Sequence, residues 1–250
     1  MVKVILSGCN GHMGRYVTEG IANRDNIEIA AGVDLNDSVP NTYPVYKSFA
    51  DVTEKADVVI DFSHPSALAG VLGYCLSNNV ALIECSTGLS EDQINTLEVS
   101  SSSIPVFRSG NMSLGVNLII ELCKTAAKVL GESFDIEIIE AHHNQKLDSP
   151  SGTAYMIADA IKEELDSDTE YVYDRHSRSL KRPHNEIGIH SVRGGTIVGE
   201  HSVVFAGNDE IVTISHSARS KALFSSGAID AALFIAGKAP GLYSMKDILK

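Results

Sequence analysis

Residues 2 to 8, VKVILSG, form a mainly apolar run closed by a glycine, the pattern of a parallel strand covered on both faces. MGRYVTEGIANR (13 to 24) then spaces its apolar positions at helical intervals, and IEIAAGVD (27 to 34) is a second apolar run, ending in an acid. The alternation continues through ADVVIDFS (56 to 63), a helical stretch from Ser66 to Leu76, NVALIECSTG (79 to 88) and IPVFRSGN (104 to 111). Strands alternating with helices predict an α/β fold, a Rossmann-type parallel sheet with helices on both faces.

After Asn111 the rhythm changes. A long helical stretch near Leu114 to Leu130 leads to FDIEIIEAHH (134 to 143), then to a helix from about Thr153 to Leu165 and a polar stretch from Asp166 to Glu186. Three strand-like runs follow near 187 to 193, 197 to 205 and 210 to 216, without helices between them. That pattern predicts a second, smaller α+β domain built on an open mixed sheet. KALFSSGAIDAALFIAG (221 to 237) is a last amphipathic helix, stopped by Gly237 and Pro240.

With 250 residues, 44% of them hydrophobic, the chain has material for one large core or two modest ones. It contains no apolar run of about 18 residues, and MVKVILSGCN enters a strand without a charged leader, so neither membrane nor secretion is expected and a cytoplasmic location follows by default. Cys9, Cys75, Cys85 and Cys123 are scattered, without a C-x-x-C pair, as reduced structural thiols are. A net charge of -12 disfavours nucleic acid as a partner, because that affinity comes from Lys and Arg on phosphates. It also means that an anionic substrate needs cations gathered locally.

GCNGHMG (8 to 14) sits between the first strand and the first helix. Gly8 serves the tight turn, Gly11 leaves room for a pyrophosphate and Gly14 lets the helix approach the strand. Asp34, at the end of the second strand, stands where an acid accepts hydrogen bonds from the adenosine ribose. Strand, turn, helix and acid together predict dinucleotide binding, against a plain strand-to-helix turn with an incidental acid. A carboxylate at 34, followed by Leu35, Asn36 and Asp37, repels a 2'-phosphate, so NADH is favoured. NADPH stays possible, because Lys47 or Arg15 could reach a phosphate.

EAHHNQKLDSPSGTA (140 to 154) is the second chemical signal. Zinc binding by His142, His143 and Asp148 is one reading, although adjacent histidines on an extended segment point to opposite sides. A half-buried structural histidine pair is another. A hydrolase would use Ser149, Ser151 or Thr153 as nucleophile, but no G-x-S-x-G elbow accompanies them. A reductase needs an acid beside its cofactor, and His142 with Lys146 suits proton handling. Ser149 or Ser151 would cap the next helix, leaving amides around Gly152 and Thr153 for a carboxylate. An anionic small molecule fits such a cationic nest.

The run at 140 to 154 resembles the signature of the dihydrodipicolinate reductase family, also called 4-hydroxy-tetrahydrodipicolinate reductases. The resemblance covers essentially the whole chain. GCNGHMGR (8 to 15) is similar to the family's glycine loop, DFSHP (61 to 65) and CSTG (85 to 88) to its cofactor-side loops, SGNMSLGVN (109 to 117) to its hinge segment, and RGGTIVGEH (193 to 201) to a later strand pair. Two positions depart from it: Cys85 stands where familiar members have glycine, and Leu35 where some carry arginine.

The resemblance implies NAD(P)H-dependent reduction of 4-hydroxy-tetrahydrodipicolinate to tetrahydrodipicolinate, with loss of water, in diaminopimelate and lysine biosynthesis. It makes His142 and Lys146 catalytic proton carriers and puts His143, Gly152 and Thr153 on the substrate's carboxylates. The segment Gly8, Cys9, Asn10, Gly11, His12 and Met13 would meet the pyrophosphate and Asp34 the ribose. Cys85, Ser86 and Thr87, with Ser109, Gly110, Asn111 and Met112, would lie along the nicotinamide half. No metal is implied. The family further implies a homotetramer built through the second domain's sheet, and a discontinuous dinucleotide-binding domain (1–112 and 218–250) around a substrate-binding and oligomerisation domain (113–217).

Other motifs carry less. RHSRSLKRPH (175 to 184) reads as a solvated surface loop, Arg193 as a structural or a functional residue alike, and His216 and Arg219 as hinge or packing residues. Two rival classes remain at this level. Another nicotinamide-dependent dehydrogenase would share Gly8 to Asp34 without needing the histidine-lysine run. A non-enzymatic NAD sensor would share the loop and add a basic DNA-binding module.

Overall fold

The structure, a computed structural model, describes residues 1–165 and 168–250, with the backbone only at position 132. The first two positions of the expected polar stretch, 166 and 167, lie outside the described residues. The chain forms two compact units, Met1–Ser113 with Lys221–Lys250, and Leu114–Ser220.

Along the first unit run β1 (Val2–Ser7), α1 (His12–Ala22), β2 (Ile27–Val33), β3 (Val45–Tyr46), β4 (Val58–Asp61), α2 (Leu68–Asn78), β5 (Ala81–Glu84), α3 (Glu91–Ser100) and β6 (Pro105–Arg108). The second unit comprises α4 (Leu114–Leu130), β7 (Asp135–His142), α5 (Gly152–Lys162), β8 (Glu170–Val172), β9 (Glu186–Arg193), β10 (Gly199–Ala206) and β11 (Ile211–Ala218). The chain then contributes α6 (Ala222–Ile235), β12 (Gly241–Tyr243) and α7 (Met245–Ile248) to the first unit.

The first sheet has seven parallel strands in the order β12-β6-β5-β4-β1-β2-β3. Successive residues of β1 serve opposite cores: Val4 and Leu6 pack with α1 and α6, whereas Ile5 packs with α2 and α3. Burial on both faces explains the unbroken apolar runs. This is the Rossmann-type sheet that the alternation predicts. Strands β3 and β12 and helix α3 extend the expected set. Helix α3 has little apolar periodicity, but Ser90 and Gln93 form a reciprocal capping box at its start.

The second sheet is mixed and open, ordered β11-β10-β7-β9-β8. Strands β7, β8 and β9 are parallel, and β10 runs antiparallel to β7 and β11. Helices α4 and α5 cover one face, where Val116, Ile120 and Cys123 meet Ile157 and Ile161 over Ile138, Ile189, Val203 and Phe205. The period of two on β7 buries Ile136, Ile138, Glu140 and His142 in succession, so the apolar face turns polar at one end.

The basic run 175 to 184 corrects the expectation of a solvated loop. Arg175 and Arg178 bind both oxygens of buried Glu186, and Arg175 and Arg182 meet Glu137 at 2.7 and 3.0 Å. Two acids on β7 and β9 draw these arginines onto the sheet, because a buried carboxylate needs charged donors. Among the described residues no helix is long and apolar enough to cross a membrane.

Candidate active site

The expected site residues fall into two sets, one in each unit, and each set has its own geometry.

In the first unit, β1 ends in Gly8 at φ +73°, a conformation that favours glycine. A side chain on Gly14 would put its Cβ 2.2 Å from the Gly8 carbonyl oxygen, so the helix can approach only as glycine. Helix α1 has no side-chain cap at Gly11, which leaves the amides of its first turn, at His12 and Met13, free for an anion. Cys9 turns its side chain away from the turn: it is buried against Gly32, and burial pushes its thiol up to about 11.

Asp34 follows β2 and accepts from the amides of Asn10 and Asn36, both at 2.9 Å, which ties the glycine turn to the second strand. Gly8, Gly11, Asp34, Leu35, Ser63 and Thr87 line one cavity of about 1470 Å³, large enough for a dinucleotide. The donor set suits an adenosine ribose and a pyrophosphate. Lys47, which could have served a 2'-phosphate, is paired with Asp37 at 3.1 Å.

Asp61 and Glu84 face each other at the ends of adjacent strands β4 and β5, both buried. Each accepts from the amide two residues on, Ser63 to Asp61 and Ser86 to Glu84, and so anchors the DFSHP and CSTG loops. Burial first, then the neighbouring Asp61, push the Glu84 carboxyl up to about 7. Cys85 is pushed up by burial as well, while Thr87 is exposed. Of Ser109 to Met112, the first three lie at least partly open, and the Asn111 side chain accepts from the Ser113 amide at 2.8 Å. Met112 is buried in the core that includes α6.

In the second unit, a carboxylate organises the histidine-lysine run. Glu140, fully buried, accepts from both terminal nitrogens of Arg193 at 2.8 and 2.7 Å, from the Ser151 amide at 3.1 Å, and from His142 Nδ1 at 2.6 Å. Burial alone would raise its pKa; hydrogen bonds from Arg193, Ser191 and His142 outweigh it and bring Glu140 down to about 2. Such an acid is charged at neutral pH, so His142 donates through Nδ1 and leaves Nε2 for chemistry. Burial lowers the His142 pKa, and Glu140 opposes that shift.

The rest of the run wraps around this pair. Gly194 donates to the His142 carbonyl and Asn144 to the Gly195 carbonyl, at 2.9 and 3.2 Å, so the RGGT turn holds the segment. His143 is half-buried. Lys146 Nζ lies 2.8 Å from Asp148 Oδ1, and Asp148 is also held by the Gly152 amide. Ser151 is the N-cap of α5, accepting from Ala154 N at 3.2 Å, with Gly152 and Thr153 in the first turn. Of the groups weighed above, His142 is engaged by Glu140 through Nδ1 alone, Asp148 is paired with Lys146, and Ser151 accepts from a helix amide. Glu140 and His201 are not singled out by the sequence reading, which leaves Arg193 open between structure and function and offers Ser151 as a cap of α5, the place it takes; the signal for Glu140 is a charged residue at a core position of the β7 period.

These two units define a class: two-unit oxidoreductases that combine a Rossmann-type parallel sheet with a separate mixed-sheet unit. Models of the N-terminal and C-terminal parts of dihydrodipicolinate reductase match residues 2–112 and 115–249. A 4-hydroxy-tetrahydrodipicolinate reductase of Caldanaerobacter subterraneus is 52% identical over 250 residues, covering 100% of this chain and 99% of its own. One from Clostridium tetani is 47% identical over 249 residues, covering 100% and 97%. The structure of a dipicolinate-bound dihydrodipicolinate reductase from Paenisporosarcina sp. TG-14 superposes with a TM-score of 0.83 at 28% identity, covering 99% of both chains. The chain belongs to the dihydrodipicolinate reductase family.

Proposed function

We propose that this protein reduces 4-hydroxy-tetrahydrodipicolinate to tetrahydrodipicolinate, with loss of water, in diaminopimelate and lysine biosynthesis. The carrying observation is the Glu140–His142 pair beside the first turn of α5, in a chain of this family. The first unit is the dinucleotide-binding domain and the second binds substrate. NAD(P)H, when bound, supplies the hydride.

The chain's own residues handle protons and charge. His142 keeps its Nδ1 proton on Glu140, so Nε2 is the atom that takes up and releases the proton completing the reduction. Lys146 brings positive charge to the same pocket and is the second proton carrier. His143 and the amides of Gly152 and Thr153 grip the substrate's carboxylates, with Asp148 leaving Lys146 and Gly152 as a carboxylate arrives.

NADH is the favoured cofactor: the Asp34 carboxylate repels a 2'-phosphate, Leu35 offers no cation and Lys47 is occupied by Asp37. The Gly8 to Met13 turn holds the pyrophosphate. The segments 85–87 and 109–112 flank the nicotinamide half, with Cys9 and Met112 acting through their backbones. A homotetramer fits the outer face of the second sheet, where Ile139, Val192 and Ile211 stand exposed. A cytoplasmic setting fits four free cysteines.

The test is a coupled assay in which substrate is generated from pyruvate and aspartate semialdehyde while NADH absorbance is followed. Turnover with a higher kcat/KM for NADH than for NADPH supports the proposal, and folded protein without turnover on either nucleotide refutes it.

A further inference from the structure

Beneath the Glu140–His142 pair, on the same face of the sheet, lies a second histidine that the proton chemistry does not use. His201 on β10 is 4% exposed. Its Nε2 is 3.0 Å from Ser151 Oγ, and its ring meets the ring of His142 edge-on, with centroids 5.2 Å apart and planes at 74°. Ser151 in turn donates its amide to Glu140, whose other oxygen holds His142. The contacts close a ring: His142, Glu140, Ser151, His201 and back to His142.

Ser151 Oγ accepts from the Ala154 amide as the cap of α5 and still has a proton and a lone pair for His201 Nε2, whereas His201 Nδ1 is buried with no partner, so Ser151 is the one hydrogen-bond partner that holds this ring among the described residues. Burial, followed by repulsion from a protonated His142, pushes His201 down to about 4, and His216 and Lys146 act in the same direction while Glu140 opposes them. A neutral neighbour lets His142 become cationic without a second positive charge against it.

We propose that His201 is a positioning residue, which by hydrogen-bonding Ser151 and packing edge-on against His142 fixes the carboxylate-gripping start of α5 relative to the proton-carrying imidazole. The inference rests on the roles given above to His142 and to the α5 amides. It needs no further reactant, because His201 changes neither charge nor bonding during turnover.

Two measurements test it. In the first, His201→Phe keeps a ring of similar size but removes the hydrogen bond to Ser151. It raises the KM for substrate and the Kd for dipicolinate about tenfold, as loss of one oriented hydrogen bond does, with kcat and NADH affinity little changed. His201→Gln restores most of the affinity, and Ser151→Ala, which also removes the cap of α5, costs less in His201→Phe than in the wild type, because one of its two interactions is already gone. A loss that follows only the melting temperature, or one additive with Ser151→Ala, overturns the proposal.

The second is independent of activity. Ring ¹⁵N shifts of His201 in the wild-type protein should show a neutral ring between about pH 5 and pH 8, with the Nε2 shift moving in Ser151→Ala. A His201 that titrates in that range, or is blind to Ser151, contradicts the positioning role even if the substrate assignment holds. Wild-type protein with the expected His201 shifts but no turnover would instead place the error in the substrate assignment.

Discussion

Arg193 binds Glu140 with both terminal nitrogens of its guanidinium, at 2.8 and 2.7 Å, and the carboxylate so held is the one that receives His142 Nδ1. The fork sets the orientation of the carboxylate, and the carboxylate sets the imidazole. Arg193→Lys keeps the charge and loses the fork, so kcat should fall about tenfold with substrate affinity nearly kept. Arg193→Ala leaves a buried charge unpaired and should destabilise the fold by about 3 kcal/mol in denaturant titration. His142→Gln and Lys146→Ala, by contrast, should cut kcat about 10²-fold without changing NADH affinity. Equal loss of NADH binding would move both residues to the cofactor.

Glu140 also makes stability depend on acid. Its pKa is about 2 in the folded protein against 4.5 as the ordinary value, so the folded state holds fewer protons between those limits. The stabilisation is complete above 4.5 and is lost as pH falls towards 2, an effect of about 3 kcal/mol. Unfolding free energies of Glu140→Gln should lack that acid slope. A slope identical to wild type would assign acid sensitivity elsewhere.

Glu84 acts with the opposite sign. Its carboxyl is raised from 4.5 to about 7, so the folded state holds the extra proton and stability declines as pH rises through that window. Glu84→Gln mimics the protonated form and should remove the decline. Denaturant midpoints from pH 5 to pH 8, at roughly unit intervals, give the comparison directly. An identical pH dependence in wild type and Glu84→Gln would rule out a raised Glu84 carboxyl.

Asp148 stands on Lys146 and the Gly152 amide, the same groups a substrate carboxylate would use. Asp148→Asn should therefore tighten dipicolinate binding severalfold. Removing a negative charge from the start of α5 should also cost about 0.5 kcal/mol of stability. Weaker dipicolinate binding in this variant, by calorimetry, would make Asp148 an orienting residue for Lys146 instead.

The parallel sheet was legible because burial on both faces makes its strands continuous apolar runs, as in VKVILSG. The glycine turn and Asp34 were legible because backbone geometry restricts residue choice there. Strand β12 and helix α3 were harder: GLY is too short for periodicity, and EDQINTLEVS carries its signal in a capping box. The arginines of 175 to 184 looked solvated because charge along a sequence does not reveal distant acids at 135, 137 and 186. The histidine-lysine run announced chemistry, but its support by Glu140 and Arg193 depends on strand pairing, which puts His142 opposite Arg193.

Hydride transfer to the substrate heterocycle leaves an isotopic record that can be read in the product. Reduction with NADH deuterated at the transferring position, followed by mass spectrometry of the product, should place deuterium on a ring carbon of tetrahydrodipicolinate, with none entering from deuterated water at that carbon. NADH consumed without deuterium in the product ring, or a ring labelled only by solvent, would contradict the assignment.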